Sequence, residues 1–539
     1  MDPLIVGINA KFIHTNNAIR LLKANSRFDV EILEFTIKDT LDEVIEKITD
    51  EPRLFIAFSC YIWNIEMIKA LVFRLKKTTN TPIILGGPEV SYEANTFLDT
   101  WPIDMVIKGE GEDIIDDVIQ HYQSDIPLIN TPGIATKTFQ TPPQEITNLK
   151  TLKSPHYFDF DQPNRDKRIA YIESSRGCPY RCSYCLSSLE KTVRFFPLES
   201  VRKDLIYLIE AGVKHIKFLD RTFNANPDAL AIIDTIIKHR RDDLSVQFEM
   251  TGDTLNDSLI QYIHTHAPKG LFRFEIGIQS THDKTNLLVG RKQNNDRLFK
   301  TIKNIIQHDI IDLHLDLIAG LPKEDLSRFK KTFDSVYNLG AKELQLGFLK
   351  MLRGTKIREE AQVYGYQYAA IAPYEVISHN DLCQEDIRTI KKVMTILDIC
   401  HNKGYFGNHF FQIIKQHYPS AFDVFLRMHA VCNHKILNRH YQLEDLFEFV
   451  TRFFQDEGLN QMDLDAFKPY YLRRNRVKPK GYFPKIKEKK LRRTILEKCA
   501  DKYQLDINDL YKHSLITSYQ NHYLVAYYKH QAAYLYPIK

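Results

Sequence analysis

The chain has 539 residues, 44 % apolar and 26 % charged, with 73 basic against 68 acidic side chains and a net charge of +5. That length suits about three domains and a core that needs no disulfide staples, and the composition excludes a wholly disordered chain. The mild basic excess does not argue for a nucleic-acid partner, and the longest apolar-rich stretch, residues 54–63, falls well short of the about 20 that a membrane-spanning helix needs.

The first residues lack the positive flank and long apolar core of a signal peptide, so a cytoplasmic protein with reduced thiols and no membrane partner is expected. Residues 1–125 alternate short apolar runs with helical stretches. Strands are expected at 4–8, 30–35, 54–59, 82–85 and 104–107, with helices from 16, over 65–75 and from 113. This alternation predicts an α/β domain, a doubly wound parallel sheet whose ligands sit outside the carboxyl ends of the strands. The loops at 9–17, 59–64, 86–92 and 108–112 are therefore the ones facing a ligand. Residues 126–165 carry six prolines with little periodicity and read as a connector.

From 166 to 367 the alternation resumes with longer units. Strands are expected at 169–173, 215–219, 245–250, 271–278, 314–318 and 343–349, each but the last followed by a helix-forming stretch. Six such units fit a partial (β/α)6 barrel, with its site at the strand carboxyl ends. After about 367 the strands are expected to stop, leaving 368–539 as a mainly helical domain. From Tyr405 onward, 25 of 135 residues are Phe or Tyr, which predicts an aromatic core. Within it, residues 468–493 hold twelve Lys or Arg and the single acid Glu488, interleaved with Tyr470, Tyr471, Tyr482 and Phe483. Such a run is a solvated surface or flexible arm, or a strip that binds RNA or an anionic substrate.

The segment directly after the first barrel strand carries Cys178, Cys182 and Cys185 in the spacing C-x3-C-x2-C. Three thiolates at these offsets wrap one short loop around an iron–sulfur cubane, for which thiolate is the required soft ligand. Three ligands for four irons leave one iron open. A structural zinc site wants a fourth ligand, and no paired Cys or His lies near enough in sequence to supply it. Cys383, Cys400, Cys432 and Cys499 lack cluster spacing.

On this loop the chain resembles the radical S-adenosylmethionine (SAM) enzymes. The resemblance implies a [4Fe-4S] cluster on Cys178, Cys182 and Cys185, SAM bound at the open iron, and an electron donor such as flavodoxin or ferredoxin. It places Tyr184 near adenine, Glu249 and Gln279 at the ribose, and Arg291 on the SAM carboxylate. Where the family often has a Gly-Gly-Glu motif, this chain has Leu219-Asp220-Arg221, which makes Asp220 the candidate for the methionyl amine.

The sheet ahead of the barrel resembles the cobalamin (B12)-binding domain of the cobalamin-dependent subclass. The matching points are Ser59 at a strand end, the Gly86-Gly87 turn, and Gly109-Glu110-Gly111-Glu112. His14 lies in the loop where methyltransferase-type domains carry Asp-x-His-x-x-Gly. Aligned on His14, the chain has Phe12 and Asn17 at the Asp and Gly positions, so His14 is expected to touch the corrin without that motif's support. Methylthiotransferases that modify tRNA carry three amino-terminal cysteines for a second cluster, whereas this domain has only Cys60.

The expected function is a cobalamin-dependent radical SAM enzyme that transfers a methyl group to an unactivated carbon of an unidentified substrate. One alternative keeps both cofactors for a rearrangement or ring contraction. Another reads an RNA-modifying protein that uses the basic carboxyl-terminal segment to hold nucleic acid.

Overall fold

The computed structural model describes residues 1–144, 146–190, 192–479, 486 and 488–539. The described residues fall into two compact units, Met1–Phe329 with Leu346–Gln384, and Lys330–Gln345 with Glu385–Lys539.

The first unit opens on a sheet of β1 (Asp2–Asn9), β2 (Glu31–Thr36), β3 (Arg53–Ser59), β4 (Ile83–Gly86), β5 (Met105–Ile107) and β6 (Ile134–Ala135). Their order is β2-β1-β3-β4-β5-β6, with the first five parallel and β6 antiparallel to β5. Period-two alternation explains why helices cover both faces. Leu4, Val6 and Ile8 pack with Ile56, Phe58 and Leu85 on the helix Ile65–Thr78. Ile5, Phe55 and Ile84 face the opposite cluster, which includes Ile115, Val118 and Ile119 of the helix Ile115–Ser124. Each such aliphatic, fully buried, contributes roughly 1.5–3 kcal/mol. The proline-rich connector carries β6 and a short helical turn, Asp159–Asn164.

The second sheet is built from β7 (Ile169–Ile172), β10 (His215–Phe218), β11 (Ser245–Met250), β12 (Phe272–Gln279), β13 (Asp312–Ala319) and β14 (Glu343–Phe348). It runs in sequence order from β7 at one edge to β14 at the other, with parallel pairing from β7 through β13. The short pair β8 (Ser175–Arg176) and β9 (Arg194–Phe195) closes the base of the cysteine loop. A further two-stranded ribbon, β15 (Gln367–Tyr368) with β16 (Val376–Ser378), follows.

The second unit has an aromatic helical core. Phe406, Phe410, Phe425, Phe447, Phe454 and Phe467 are all at most 1 % exposed and meet in stacked, tilted and edge-on ring contacts, and Phe422 stands edge-on to Phe333. The expectation that strands end near 367 is corrected here. β17 (Ser514–Tyr519), β18 (His522–Lys529) and β19 (Ala532–Ile538) form an antiparallel meander. Val525, Tyr527 and Ile538 pack on Ile495, Leu496 and Cys499 of the helix Lys489–Tyr503. Of the basic segment 468–493, residues 480–485 and 487 lie outside the described residues, and with them Tyr482 and Phe483. Among the described residues no helix is long and apolar enough to cross a membrane.

Candidate functional site

The barrel sheet turns one set of side chains into its own core and the other into the lumen, and the lumen set is polar. On β12 the buried residues Phe272, Phe274, Ile276 and Ile278 alternate with the partly exposed Arg273, Glu275, Gly277 and Gln279. Lys217 on β10 stands 3.3 Å from both Glu249 on β11 and Glu275 on β12. Burial opposes the Lys217 charge, but the two carboxylates outweigh it and hold the ammonium above its ordinary value. Gln247 donates to Glu275 at 2.6 Å. Burial pushes Glu275 up, yet Lys217 and His314 pull its carboxyl below the usual range. On β13, His314 Nε2 lies 3.0 Å from Asp316, and Arg273 reaches His314 Nδ1 at 2.7 Å. Glu249 also faces Arg221, at 3.4 Å.

Above this ladder sits the cysteine loop. Cys178 and Cys182 are buried and Cys185 is half-buried. Gly177 at the loop base has φ +88°, and a Cβ there would stand 2.3 Å from Thr192 O, so only glycine lets the two arms of the loop cross. The Thr222 hydroxyl approaches Cys178 Sγ at 3.6 Å, and Arg291 Nη1 approaches Cys182 Sγ at 4.0 Å. Arg291 also donates to Gly277 O and, from Nε, to Gln293 at 2.9 Å. It therefore bridges the end of β12 and the loop. The Tyr184 hydroxyl is buried without a hydrogen-bond partner among the described residues, and burial pushes its phenol up.

Gln279 ends β12 in the left-handed region, with φ +67°. Such strain in a non-glycine residue persists where the surroundings over-determine it. Its Oε1 is buried without a hydrogen-bond partner among the described residues. Gly277 leaves open the space where a Cβ would stand 2.3 Å from Gln279 Nε2. A soft-ligand loop, a guanidinium beside it, an unpartnered buried amide and a glycine gap fit an iron–sulfur cluster with a polar nucleoside ligand. Among the described residues no three His, Cys, Asp or Glu side chains close around a single ion. In a cubane each thiolate binds its own iron, so such ligands stand apart.

Asp220 is placed differently from its expected role. It is 1 % exposed and accepts from Ser174 N at 2.9 Å, Ser174 Oγ at 2.5 Å and Ser175 Oγ at 2.6 Å. Its carboxylate thus fastens the chain between β7 and β8, and burial raises its pKa to about 6.

At the carboxyl edge of the first sheet, Ser59 and Gly86 are register neighbours on β3 and β4. A Cβ on Gly87 (φ +105°) would stand 2.6 Å from Cys60 O, so this glycine is required by the turn's contact with Cys60. Cys60 itself is enclosed in the core, where burial pushes its thiol up. Phe12, Ile13, Trp63 and Tyr92 expose between 42 % and 54 % of their surface on the turns after β1, β3 and β4, and Trp63 stacks on Tyr61. Beside Gly109 the Gln144 amide is buried with neither polar atom partnered among the described residues. Exposed rings and an unpartnered amide at one sheet edge fit a large, partly apolar macrocycle with polar side groups.

Two of the residues expected at a corrin engage the barrel instead. His14 Nδ1 meets the Tyr171 hydroxyl on β7 at 2.6 Å, and its backbone bridges to Ile169. Burial, with Lys11, Lys217 and Arg168 nearby, lowers its pKa. Glu110 pairs with Arg194 and Arg176. Neither contact shows in local sequence, because the partners lie 157, 84 and 66 positions away along the chain. Lys217, Arg273 and His314 were also missed, although period-two alternation on β10, β12 and β13 puts them on the lumen face with Glu275.

Comparison with known proteins matches residues 172–336 to the Radical SAM superfamily, residues 3–119 to the B12 binding domain, and residues 362–534 to a protein family of unknown function (DUF4080). The chain is 21 % identical over 419 residues to the cobalamin-dependent radical SAM methyltransferase TokK of Streptomyces tokunonensis, covering 73 % of this chain and 60 % of that one. It is 23 % identical over 381 residues to 2-(S-pantetheinyl)-carbapenam-3-carboxylate methyltransferase of Streptantibioticus cattleyicolor, covering 66 % of this chain and 55 % of that one. The chain thus spans less than two thirds of the length of these relatives. In fold it is similar to the cobalamin-dependent S-adenosylmethionine radical enzyme OxsB, with a TM-score of 0.62, 13 % identity, and 87 % and 84 % of the two chains covered. A doubly wound sheet, a cysteine loop on a parallel half-barrel and these three matched regions show that the chain carries, in order, a B12-binding domain, a Radical SAM domain and a DUF4080 domain.

Proposed function

We propose that this protein is a cobalamin-dependent radical SAM methyltransferase acting on an unactivated carbon of a substrate not yet identified. The observation that carries the reading is the placement of the cysteine loop. It rises from the carboxyl end of β7, and its two base strands are ion-paired to the turn after β5 at the edge of the B12-type sheet. When bound, the cluster supplies the electron that cleaves SAM to a 5′-deoxyadenosyl radical, and cobalamin supplies the methyl carrier.

The chain's own residues bind, orient and exclude water. Cys178, Cys182 and Cys185 hold the cluster, and Arg291 is the guanidinium for the SAM carboxylate. Gln279 and Glu249 are the hydrogen-bonding groups for ribose, and Tyr184 is the ring beside adenine. Ser59, Gly86, Gly87, Gly109 and Gln144 belong to the edge that would face cobalamin. The Lys217–Glu249–Glu275 ladder makes the lumen a polar environment, in which an apolar substrate would strand charges at a cost of several kcal/mol. Reduction calls for an external one-electron donor of the flavodoxin or ferredoxin type.

The test is anaerobic reconstitution of the full chain with iron and sulfide, then incubation with SAM, dithionite and a metabolite extract. About four irons per chain, together with 5′-deoxyadenosine and S-adenosylhomocysteine, are expected. Cys182→Ala should lose the iron. A variant that kept a full cluster would sink the ligand assignment, and 5′-deoxyadenosine without S-adenosylhomocysteine would replace methyl transfer with rearrangement.

A further inference from the structure

The turn after β5 and the cysteine loop share one carboxylate. Arg194 grips Glu110 with both nitrogens, Nη2 donating to Oε1 at 2.6 Å and Nη1 to Oε2 at 3.1 Å. Arg176, its partner across β8 and β9, lies 3.3 Å from the same Oε1. Oε2 also accepts from Thr147 N at 3.1 Å. Arg176 is fastened further by Glu112 at 2.7 Å and by Glu173 at 3.0 Å. The side chains of Arg176, Arg194, Glu110, Glu112 and Glu173 are between 8 % and 22 % exposed. Arg176 precedes Cys178 by two residues, and Glu110 follows Gly109 at the sheet edge.

These pairs make the two ligand-facing loops one mechanical piece. A metal-carrying loop is ordered largely by its metal, and a ligand at the sheet edge orders the turn after β5. Because a bidentate, mostly buried guanidinium–carboxylate pair holds one geometry, ordering either loop removes part of the ordering left to the other.

We propose that Glu110 is a positioning residue that couples the two cofactor sites, so that cobalamin at the sheet edge strengthens cluster binding and the cluster strengthens cobalamin binding by the same factor. This inference rests on the reading that both groups bind here.

The test titrates full-length protein anaerobically with hydroxocobalamin, once free of cluster and once reconstituted, and follows iron loss to a chelator with and without hydroxocobalamin. The expected result is at least about 5-fold tighter hydroxocobalamin binding to cluster-loaded protein, matched by slower iron loss, with the ratio falling within about 2-fold in Glu110→Gln. Glu190→Gln, which removes a partner of Arg194 inside the cysteine loop itself, should keep the coupling. If Glu110→Gln fails to fold, Arg194→Gln takes its place. A ratio near one in the native chain, or an undiminished ratio in Glu110→Gln, overturns the coupling. A native chain that takes up neither group overturns the proposed function instead.

Discussion

Replacing Asp220 with Asn isolates one buried charge. The carboxylate is 1 % exposed and answers only to neutral donors, the amide of Ser174 and the hydroxyls of Ser174 and Ser175. Burial is the leading cause of its rise from 3.8 to about 6. Because the folded value lies above the unfolded one, the native state binds more protons between those limits. Stability from this group is therefore present in acid and falls as pH rises through the window from about 4 to 6. A shift of about two pH units corresponds to about 3 kcal/mol in all, of which part is already lost by about pH 4.5 because the unfolded carboxyl has ionised there. Asn keeps an acceptor for Ser174 N, and its amide can donate to a serine hydroxyl, so the variant carries no such loss. Urea unfolding of cluster-free, reduced protein at pH 4.5, 5.5, 6.5 and 7.5 should show Asp220→Asn gaining on the native chain by about 2 kcal/mol from the lowest pH to the highest. Parallel pH profiles, or a variant that loses ground as pH rises, would refute the reasoning.

Three further substitutions probe other parts of the first unit. Arg353→Met strands Glu89, whose side chain is 4 % exposed and hydrogen-bonded by Arg353 and the Tyr374 hydroxyl, and should cost about 3–5 kcal/mol in urea unfolding. Gly277→Ala drives a methyl group against the Gln279 amide, so calorimetric titration of reconstituted protein should find SAM binding about tenfold weaker with iron content unchanged. Lys217→Met removes the ammonium that Glu249 and Glu275 share, leaving Arg221 at 3.4 Å from Glu249. Stability should fall by about 1–3 kcal/mol at pH 7.5 and recover toward pH 5 as a carboxyl takes up a proton, seen as converging melting temperatures.

The strands of both sheets were legible because parallel, doubly covered strands must be apolar runs, and 54–59 and 271–278 read as such. The cysteine loop was legible because ligand spacing is local. What could not be read depends on pairing between distant segments or on turns without a sequence mark. The meander at the carboxyl end turns at Gln520-Asn521 and His530-Gln531, with Gln520, His530 and Gln531 at positive φ. Neither turn has the glycine that flags a two-residue hairpin, so its tyrosine-rich strands passed for helical core. The sequence puts Asp220 at the methionyl amine of SAM and Glu110 at the corrin edge, whereas the structure fastens Asp220 to two serines and Glu110 to two arginines. Their partners, Ser174 and Ser175 for one and Arg176 and Arg194 for the other, follow from the pairing of β7 with β10 and from the meeting of the cysteine loop with the turn after β5.

The loop after β1 does more than carry His14. Ile169 N donates to Ile13 O at 2.7 Å, Thr15 Oγ1 donates to Ile169 O at 3.0 Å, and Arg168 reaches His14 O at 2.6 Å. The outer strand of the barrel is thereby capped by a piece of its neighbour domain, and its unpaired backbone is hidden from other chains. Cutting the chain between the first sheet and the barrel would uncover that strand as a ready template for self-association. The barrel is therefore a poor candidate for separate expression, and the two domains are better inherited, engineered and studied as one piece.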